Sequence, residues 1–93
     1  MVGEPPSYVA ECFWPGVRSS DLHALDVRAL ARAAACSRAG EDVRYLGSIL
    51  LRDDEVVLCR FQGSEAAVRR AAVEAEIPFE RILAAAQSPW PLQ

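Results

Sequence analysis

The segment at residues 8–14 (YVAECFW) restricts the fold more than any other part of the sequence. Tyr8, Val9 and Phe13 are aromatic or β-branched, and such side chains favour a pleated, packed strand. Pro15 cannot donate a ladder hydrogen bond and Gly16 permits a sharp turn, so the strand must end there. We therefore predict a first β-strand at residues 8–14 and expect it to lie in the centre of a small sheet.

Alternation of side chains along this strand places one carboxylate on an apolar face. Tyr8, Ala10, Cys12 and Trp14 share one face, and Val9, Glu11 and Phe13 share the other. A buried charge without a partner is costly, so Glu11 needs a partner or a water-lined pocket.

Length and composition exclude several classes of protein. A chain of 93 residues forms one domain, and such a small core is often completed by dimerisation. The net charge of −3 argues against nucleic-acid binding, and the absence of a run of about 18 apolar residues argues against a membrane span. The first residues lack the pattern of a secretory signal, and the odd number of cysteines, 3, favours reduced thiols. We therefore expect a cytoplasmic location.

Two segments have the composition and spacing of amphipathic helices. Residues 20–39 are rich in Ala, Leu and Arg, with Leu25, Ala29 and Cys36 at helical spacing on one face. Ser64 can serve as the N-cap of a second helix, which Pro78 must end. Both helices present a mostly small, apolar face, which predicts that they pack on the sheet.

Three further strands are predicted. Residues 43–51 and 55–61 flank a polar turn and form a β-hairpin, and residues 82–86 form a short last strand after a turn at residues 79–81. An even-numbered turn places Gly47 opposite Arg60, which leaves room for the guanidinium, and Ile49 opposite Leu58. In that register Tyr45 lies on the same face as Arg60, whereas an odd-numbered turn would reverse the pairing.

The element order β-α-β-β-α-β predicts a ferredoxin-like α+β fold at residues 8–87, after a lead-in at 1–7 and before a Pro-rich tail at 88–93. We expect a four-stranded antiparallel sheet with both helices on one face, and we expect its central strands, one and three, to run parallel to each other. The other face would carry Val9, Phe13, Tyr45, Ile49, Val56 and Leu58. This apolar surface predicts a homodimer of the dimeric α/β-barrel kind, in which the two sheets cover each other.

Glu11 and Arg60 are predicted to lie on adjacent central strands and on the same open face. One interpretation is a ligand pocket that contains one acid and one cation and is walled by Phe13, Tyr45 and Leu58. The other is a structural ion pair that satisfies both residues at the dimer interface.

Other residue types with chemical potential give weaker signals. His23 is the only histidine and has Asp26 three residues later, but a lone helix histidine is usually neither a base nor a metal ligand. Cys12, Cys36 and Cys59 are predicted to point into the core as small apolar residues, with a soft metal or redox site as the alternative. No zinc-ligand, phosphate-loop or nucleophile-elbow motif occurs.

Five short segments together resemble a known family. They are residues 8–16 (YVAECFWPG), 43–48 (VRYLGS), 54–61 (DEVVLCRF), 64–68 (SEAAV) and 77–82 (IPFERI). In order and spacing they resemble domain of unknown function 4242. The resemblance implies a ferredoxin-like fold, a homodimer, a bacterial source and, for one branch, nickel binding. That branch is richer in histidine around the segment that matches residues 77–79, where this sequence has none. We therefore transfer the fold and the dimer but no metal ligand, and expect no cofactor unless nickel is bound.

Three hypotheses of function remain open. The first is a small-molecule binding protein that uses a pocket near Glu11 and Arg60. The second is a cofactor-free enzyme, of the isomerase, cyclase or monooxygenase kind, in which Glu11 is the general base and Arg60 stabilises an anion. The third is a metal-binding protein with His23 and acidic side chains assembled across a dimer.

Overall fold

A computed structural model of the protein describes residues 5–86, so that residues 1–4 of the predicted lead-in and the tail at 88–93 lie outside the described residues. The elements, in chain order, are β1 (Ser7–Phe13), α1 (Ser19–Arg38), β2 (Val43–Leu51), β3 (Val56–Gly63), α2 (Glu65–Glu74) and β4 (Arg81–Ala85). This order confirms the predicted ferredoxin-like α+β fold. Within residues 5–86, no helix is long and apolar enough to cross a membrane.

The four strands form one antiparallel sheet in the order β2-β3-β1-β4. β1 lies in the centre, as predicted, and pairs with β3 and β4. The expectation that β1 and β3 run parallel is wrong, because the two strands are antiparallel neighbours. The physical reason is the hairpin: α1 returns the chain so that β2 runs in the direction of β1, and the turn into β3 then reverses it.

Both helices pack on one face of the sheet, which is called the inner face here. The core contains inner-face residues of the strands and the small apolar faces of the helices; its members include Ala10, Cys12, Val57, Cys59, Phe61, Leu25, Ala29, Ala33, Cys36, Val68, Ala71 and Ala72. The predicted helix faces are therefore confirmed. Alanine predominates on the helices because a small side chain lets a helix lie close to a sheet.

Capping hydrogen bonds define where the helices begin. The Ser64 side chain accepts a hydrogen bond from the backbone nitrogen of Ala67 at 3.1 Å, which confirms Ser64 as the N-cap of α2. At α1 the N-cap is Arg18, whose backbone nitrogen donates to Asp21 Oδ2 at 2.8 Å. This hydrogen bond lowers the pKa of Asp21, and the carboxylate also suits the positive end of the helix dipole.

A β-bulge in β2 changes the predicted faces of the hairpin. Gly47 pairs with Arg60 and Ile49 with Leu58, as predicted, but an irregularity between Tyr45 and Gly47 pairs Tyr45 with Phe61. The prediction that Tyr45 lies on the face of Arg60 is therefore wrong. A bulge inserts one extra residue, here Leu46, and so moves every earlier side chain of the strand to the opposite face.

The face of the sheet turned away from both helices is called the outer face. By register it carries Val9, Glu11 and Phe13 of β1, Gly47, Ile49 and Leu51 of β2, Val56, Leu58 and Arg60 of β3, and Arg81 and Leu83 of β4. Large apolar side chains on it are exposed to an unusual degree: Phe13 is 55% exposed, and Ile49 and Leu51 are each 42% exposed. Apart from Tyr45, the predicted outer-face residues are placed correctly.

Gly63, the last residue of β3, provides a test of the packing between β3 and the start of β2. Its φ is +148°, and a Cβ there would lie 2.7 Å from the backbone oxygen of Asp42. We expect Gly63→Ala to destabilise the fold by about 1–3 kcal/mol, because backbone cannot move aside as a flexible side chain can. Gly40→Ala is the matched control: its φ is +99°, but a Cβ there meets nothing within 4 Å. Urea denaturation should show a larger loss for Gly63→Ala, and equal losses would contradict the predicted clash.

Candidate functional site

Arg60 lies over the bulge in β2. It is opposite Gly47, where an added Cβ would be 3.4 Å from Arg60 Nη2, so the glycine leaves the space that the guanidinium uses. Arg60 Nη2 donates a hydrogen bond of 2.8 Å to the backbone oxygen of Leu46. Arg60 Nε is buried and has no hydrogen-bond partner within the described residues 5–86. The guanidinium is thus held by a neutral carbonyl, and among residues 5–86 it forms no ion pair with a carboxylate.

Glu11 has a different partner from the predicted one. Glu11 and Arg60 lie on adjacent strands and on the same face, as predicted, but Glu11 Oε1 accepts a hydrogen bond of 2.6 Å from Arg81 Nε. The reason is the register: Glu11 is directly opposite Arg81 in β4, whereas it is opposite Leu58 in β3 and only diagonal to Arg60. The Glu11 carboxylate raises the pKa of Arg81 through this hydrogen bond.

Sequence reasoning missed Arg81 because it assigned residues 79–81 to a turn and began the last strand one residue later. β4 includes Arg81 and ends at Ala85. A signal was present, since an arginine placed next to the only carboxylate of a neighbouring central strand forms a favourable cross-strand pair. The segment that follows Arg81 is rich in alanine, which is a poor strand former, so the sequence did not predict that the strand includes Arg81.

A pocket of about 290 Å³ lies beside Arg60, near the start of β1. Its lining residues are Ser7, Tyr8, Val9, Leu46, Arg60, Phe61, Ala85 and Ala86. The volume is at the lower end for small-molecule sites, and the lining is mostly apolar around one cation.

Of the five predicted ligand-binding residues, only Arg60 lines this pocket. Glu11, Phe13 and Leu58 lie on the same face but further along the strands, and Tyr45 lies on the inner face. Sequence reasoning missed the lining residues Ser7, Leu46 and Ala85. Leu46 lines the pocket because it lies at the bulge, and no sequence pattern predicted that bulge.

Charged side chains of the sheet are concentrated on the outer face. The four strands contain one carboxylate, Glu11, and three guanidinium groups, Arg44, Arg60 and Arg81. The register places Glu11, Arg60 and Arg81 on the outer face. Arg44 lies there too, because it pairs with Gln62, and Gln62 pairs with Ser7, which shares the face of Val9. A chain with a net charge of −3 therefore has a locally positive sheet surface.

Tyr45, displaced to the inner face, connects the sheet to α1. Its hydroxyl donates a hydrogen bond of 2.5 Å to Asp26 Oδ1, and its ring centroid is 5.0 Å from that of Phe61. Burial and the hydrogen bond to Asp26 raise the pKa of Tyr45 above its usual value. Asp26, which lies three residues after His23, is therefore engaged in holding the helix to the sheet.

The cysteines and the histidine do not form a metal site. Cys12 and Cys59 are fully buried on neighbouring core strands, and Cys36 is 4% exposed, which confirms their predicted core positions. The hydrogen bond with Cys12 and burial raise the pKa of Cys59. His23 is exposed on α1. In the chain from residue 5 to residue 86, no group of three His, Cys, Asp or Glu side chains is placed to hold a metal ion, so the donor set does not fit nickel.

Taken together, the fold and the sheet surface define a small ferredoxin-like α+β protein with an open, positively charged outer face. No protein-family model matches the chain, and no curated protein matches its sequence. Among solved structures, it is similar to the crystal structure of SCO4226 from Streptomyces coelicolor A3(2). The TM-score is 0.68 at 20% sequence identity, over 89% of this chain and 99% of that one. At this identity the likeness establishes the shared fold alone.

Alkaline denaturation should reveal the Tyr45–Asp26 contact. The folded-state pKa of Tyr45 is raised, so above about pH 10 the unfolded chain loses a proton that the folded chain keeps. Stability must then fall as the pH rises, by at most about 1.4 kcal/mol per pH unit from this residue. Tyr45→Phe should cost roughly 1–2 kcal/mol at pH 7 through the lost hydrogen bond.

The wild type and Tyr45→Phe should therefore become more similar in their free energy of unfolding between about pH 10 and pH 11. The wild type loses stability over this range, whereas phenylalanine has no proton to retain. Urea midpoints measured for both proteins from pH 7 to pH 11 provide the check. The pKa of Cys59 is raised chiefly by the hydrogen bond with Cys12 and by burial, which the substitution keeps, so most of its contribution is common to both proteins. A difference that stays constant over this range would contradict the assignment.

Proposed function

We propose that this protein is a small-molecule binding protein whose ligand occupies the pocket beside Arg60. The observation that carries the proposal is a guanidinium with a buried, unpaired Nε at the edge of an apolar cavity of about 290 Å³. Buried polar groups are nearly always paired, and an unpaired one marks a place where a further partner is expected. Apolar walls around one oriented polar group are typical of small-molecule sites.

We further propose that the binding unit is a homodimer in which two outer faces cover each other as in a dimeric α/β barrel. Phe13, Ile49 and Leu51 give the outer face an exposed apolar patch that a second copy would remove from water. The pocket opens on the same face, so a second copy would also close it. Membership of the bacterial family of domain of unknown function 4242 is part of the same proposal, supported by the segment resemblance and by the shared fold with SCO4226.

The enzyme hypothesis has less support. A general base at Glu11 would need to reach the bound molecule, but Glu11 does not line the pocket and its Oε1 already accepts from Arg81. The nickel hypothesis lacks a donor cluster within residues 5–86. Ligand binding at Arg60 is therefore the function that the geometry favours, and no reaction step is assigned.

Blocking the pocket tests the binding function. Ala85 is exposed and lines the pocket, and Ala84 is exposed one residue earlier on the opposite face of β4. We expect Ala85→Trp to weaken the binding of small fragments at least tenfold by filling the cavity, and Ala84→Trp, which adds the same bulk elsewhere, to leave binding unchanged. Saturation-transfer NMR with a fragment library measures this. Identical hits for the wild type and Ala85→Trp would contradict a ligand site at this position.

The oligomeric state tests the proposed dimer. We expect the wild type to sediment as a dimer at micromolar concentration. Ile49→Glu should weaken the dimer at least a hundredfold, because a two-fold interface would bury the new charge twice. Leu30→Glu is the control, since Leu30 is 59% exposed on α1, away from the outer face. A wild-type monomer at these concentrations, or equal effects of both substitutions, would contradict the interface.

A further inference from the structure

The charges of the outer face identify the kind of molecule that the pocket would accept. Of the three arginines on this face, Arg81 is paired with Glu11, which is the only carboxylate of the sheet. Arg44 is exposed and can be hydrated. Arg60 is the cation that lies in the pocket, and its Nε is out of reach of water. The buried Nε cannot be hydrated, and within residues 5–86 no carboxylate pairs with this guanidinium, so the pocket favours an anion.

We propose that the ligand is a small, largely apolar molecule with a single carboxylate, and that this carboxylate is the counterion of Arg60. The inference rests on the proposed ligand-binding function and specifies its chemical class. A guanidinium presents several donors in a planar fork that matches the two oxygens of a carboxylate. The hydrogen bond from Arg60 to Leu46 fixes the plane of that fork without neutralising its charge.

The remaining lining residues define the rest of the ligand. The lining is largely apolar, with Val9, Leu46, the buried Phe61 and the two alanines Ala85 and Ala86, and it also contains the hydroxyl-bearing residues Ser7 and Tyr8. Among the described residues, no acidic side chain lines the pocket, so the ammonium group of a ligand would remain unpaired there. Between residues 5 and 86 a single guanidinium lines the pocket, so a second carboxylate of the ligand would also lack a partner. Monocarboxylates are therefore preferred over amino acids and dicarboxylates.

Ligand charge and dimerisation are coupled in this arrangement. Two outer faces that pack together bring their excess positive charges close, which opposes association. A bound carboxylate in each pocket offsets that repulsion, so the ligand binds the dimer more tightly than the monomer. By linkage, it must then shift the monomer–dimer equilibrium towards the dimer.

Isothermal titration calorimetry with matched acids and amides tests the proposal on the full-length chain. The probes are hexanoate and phenylacetate, each compared with its neutral isostere, hexanamide or phenylacetamide. We expect each acid to bind at least tenfold more tightly than its amide. Arg60→Gln should abolish this preference, and Arg60→Lys should retain part of it as a point charge. Arg44→Gln is the control, because it removes a guanidinium from the same face but outside this pocket, and it should keep the preference.

The outcomes separate the ligand class from the binding function. Equal affinity for acid and amide, with both lost in Ala85→Trp, would overturn the monocarboxylate and leave a ligand pocket. No binding of any of the four probes, or binding that Ala85→Trp does not affect, would overturn both. A preference for the acids that persists in Arg60→Gln would assign the anion to another cation and so overturn the role of Arg60. Sedimentation with and without hexanoate adds a second readout, in which the acid and not the amide should strengthen the dimer.

Discussion

The bulge between Tyr45 and Gly47 determines what lies on each side of the sheet. On its N-terminal side it turns Tyr45 inward, where the hydroxyl bonds to Asp26 and holds α1 against the sheet. On its C-terminal side it leaves Gly47, at φ +103°, as a gap over which Arg60 extends. The same irregularity leaves the Leu46 carbonyl where it can accept from Arg60. A regular strand would have exposed the tyrosine to the outer face, so helix docking and the pocket both depend on one inserted residue.

The inner and outer faces of the sheet differ in the chemistry of their side chains as well as in their position. The inner face is mostly apolar, since it must accept helices rich in alanine, and its cysteines are buried as small side chains. The outer face combines apolar residues with all the charges of the sheet. Such a mixture suits a surface that meets another surface or a ligand, because polar groups orient the contact and apolar groups provide the driving force.

Glu11 and Arg60 illustrate how cross-strand geometry selects among partners. Each could attract the other, since both extend from the same face of adjacent strands. Glu11 nevertheless pairs with Arg81, because these two residues lie directly opposite each other across the sheet. Gly47 leaves space for Arg60, whose guanidinium donates to the backbone carbonyl of Leu46. One guanidinium of the sheet is thereby satisfied by the only carboxylate, and another remains in the pocket without one. The proposed anion site is a consequence of this unequal distribution.

Residue patterns alone determined the element order, the position of β1, the Ser64 cap and the buried stripes of both helices. They could do so because strand alternation, helix periodicity and capping act over a few residues. For the hairpin they left two registers open, and the structure has the one that pairs Gly47 with Arg60 and Ile49 with Leu58. Tertiary structure alone decided the inward turn of Tyr45, the pairing of Glu11 with Arg81 and the lining of the pocket. These depend on one extra residue in a strand and on which side chain lies directly opposite across the sheet, and neither is a property of a local sequence pattern.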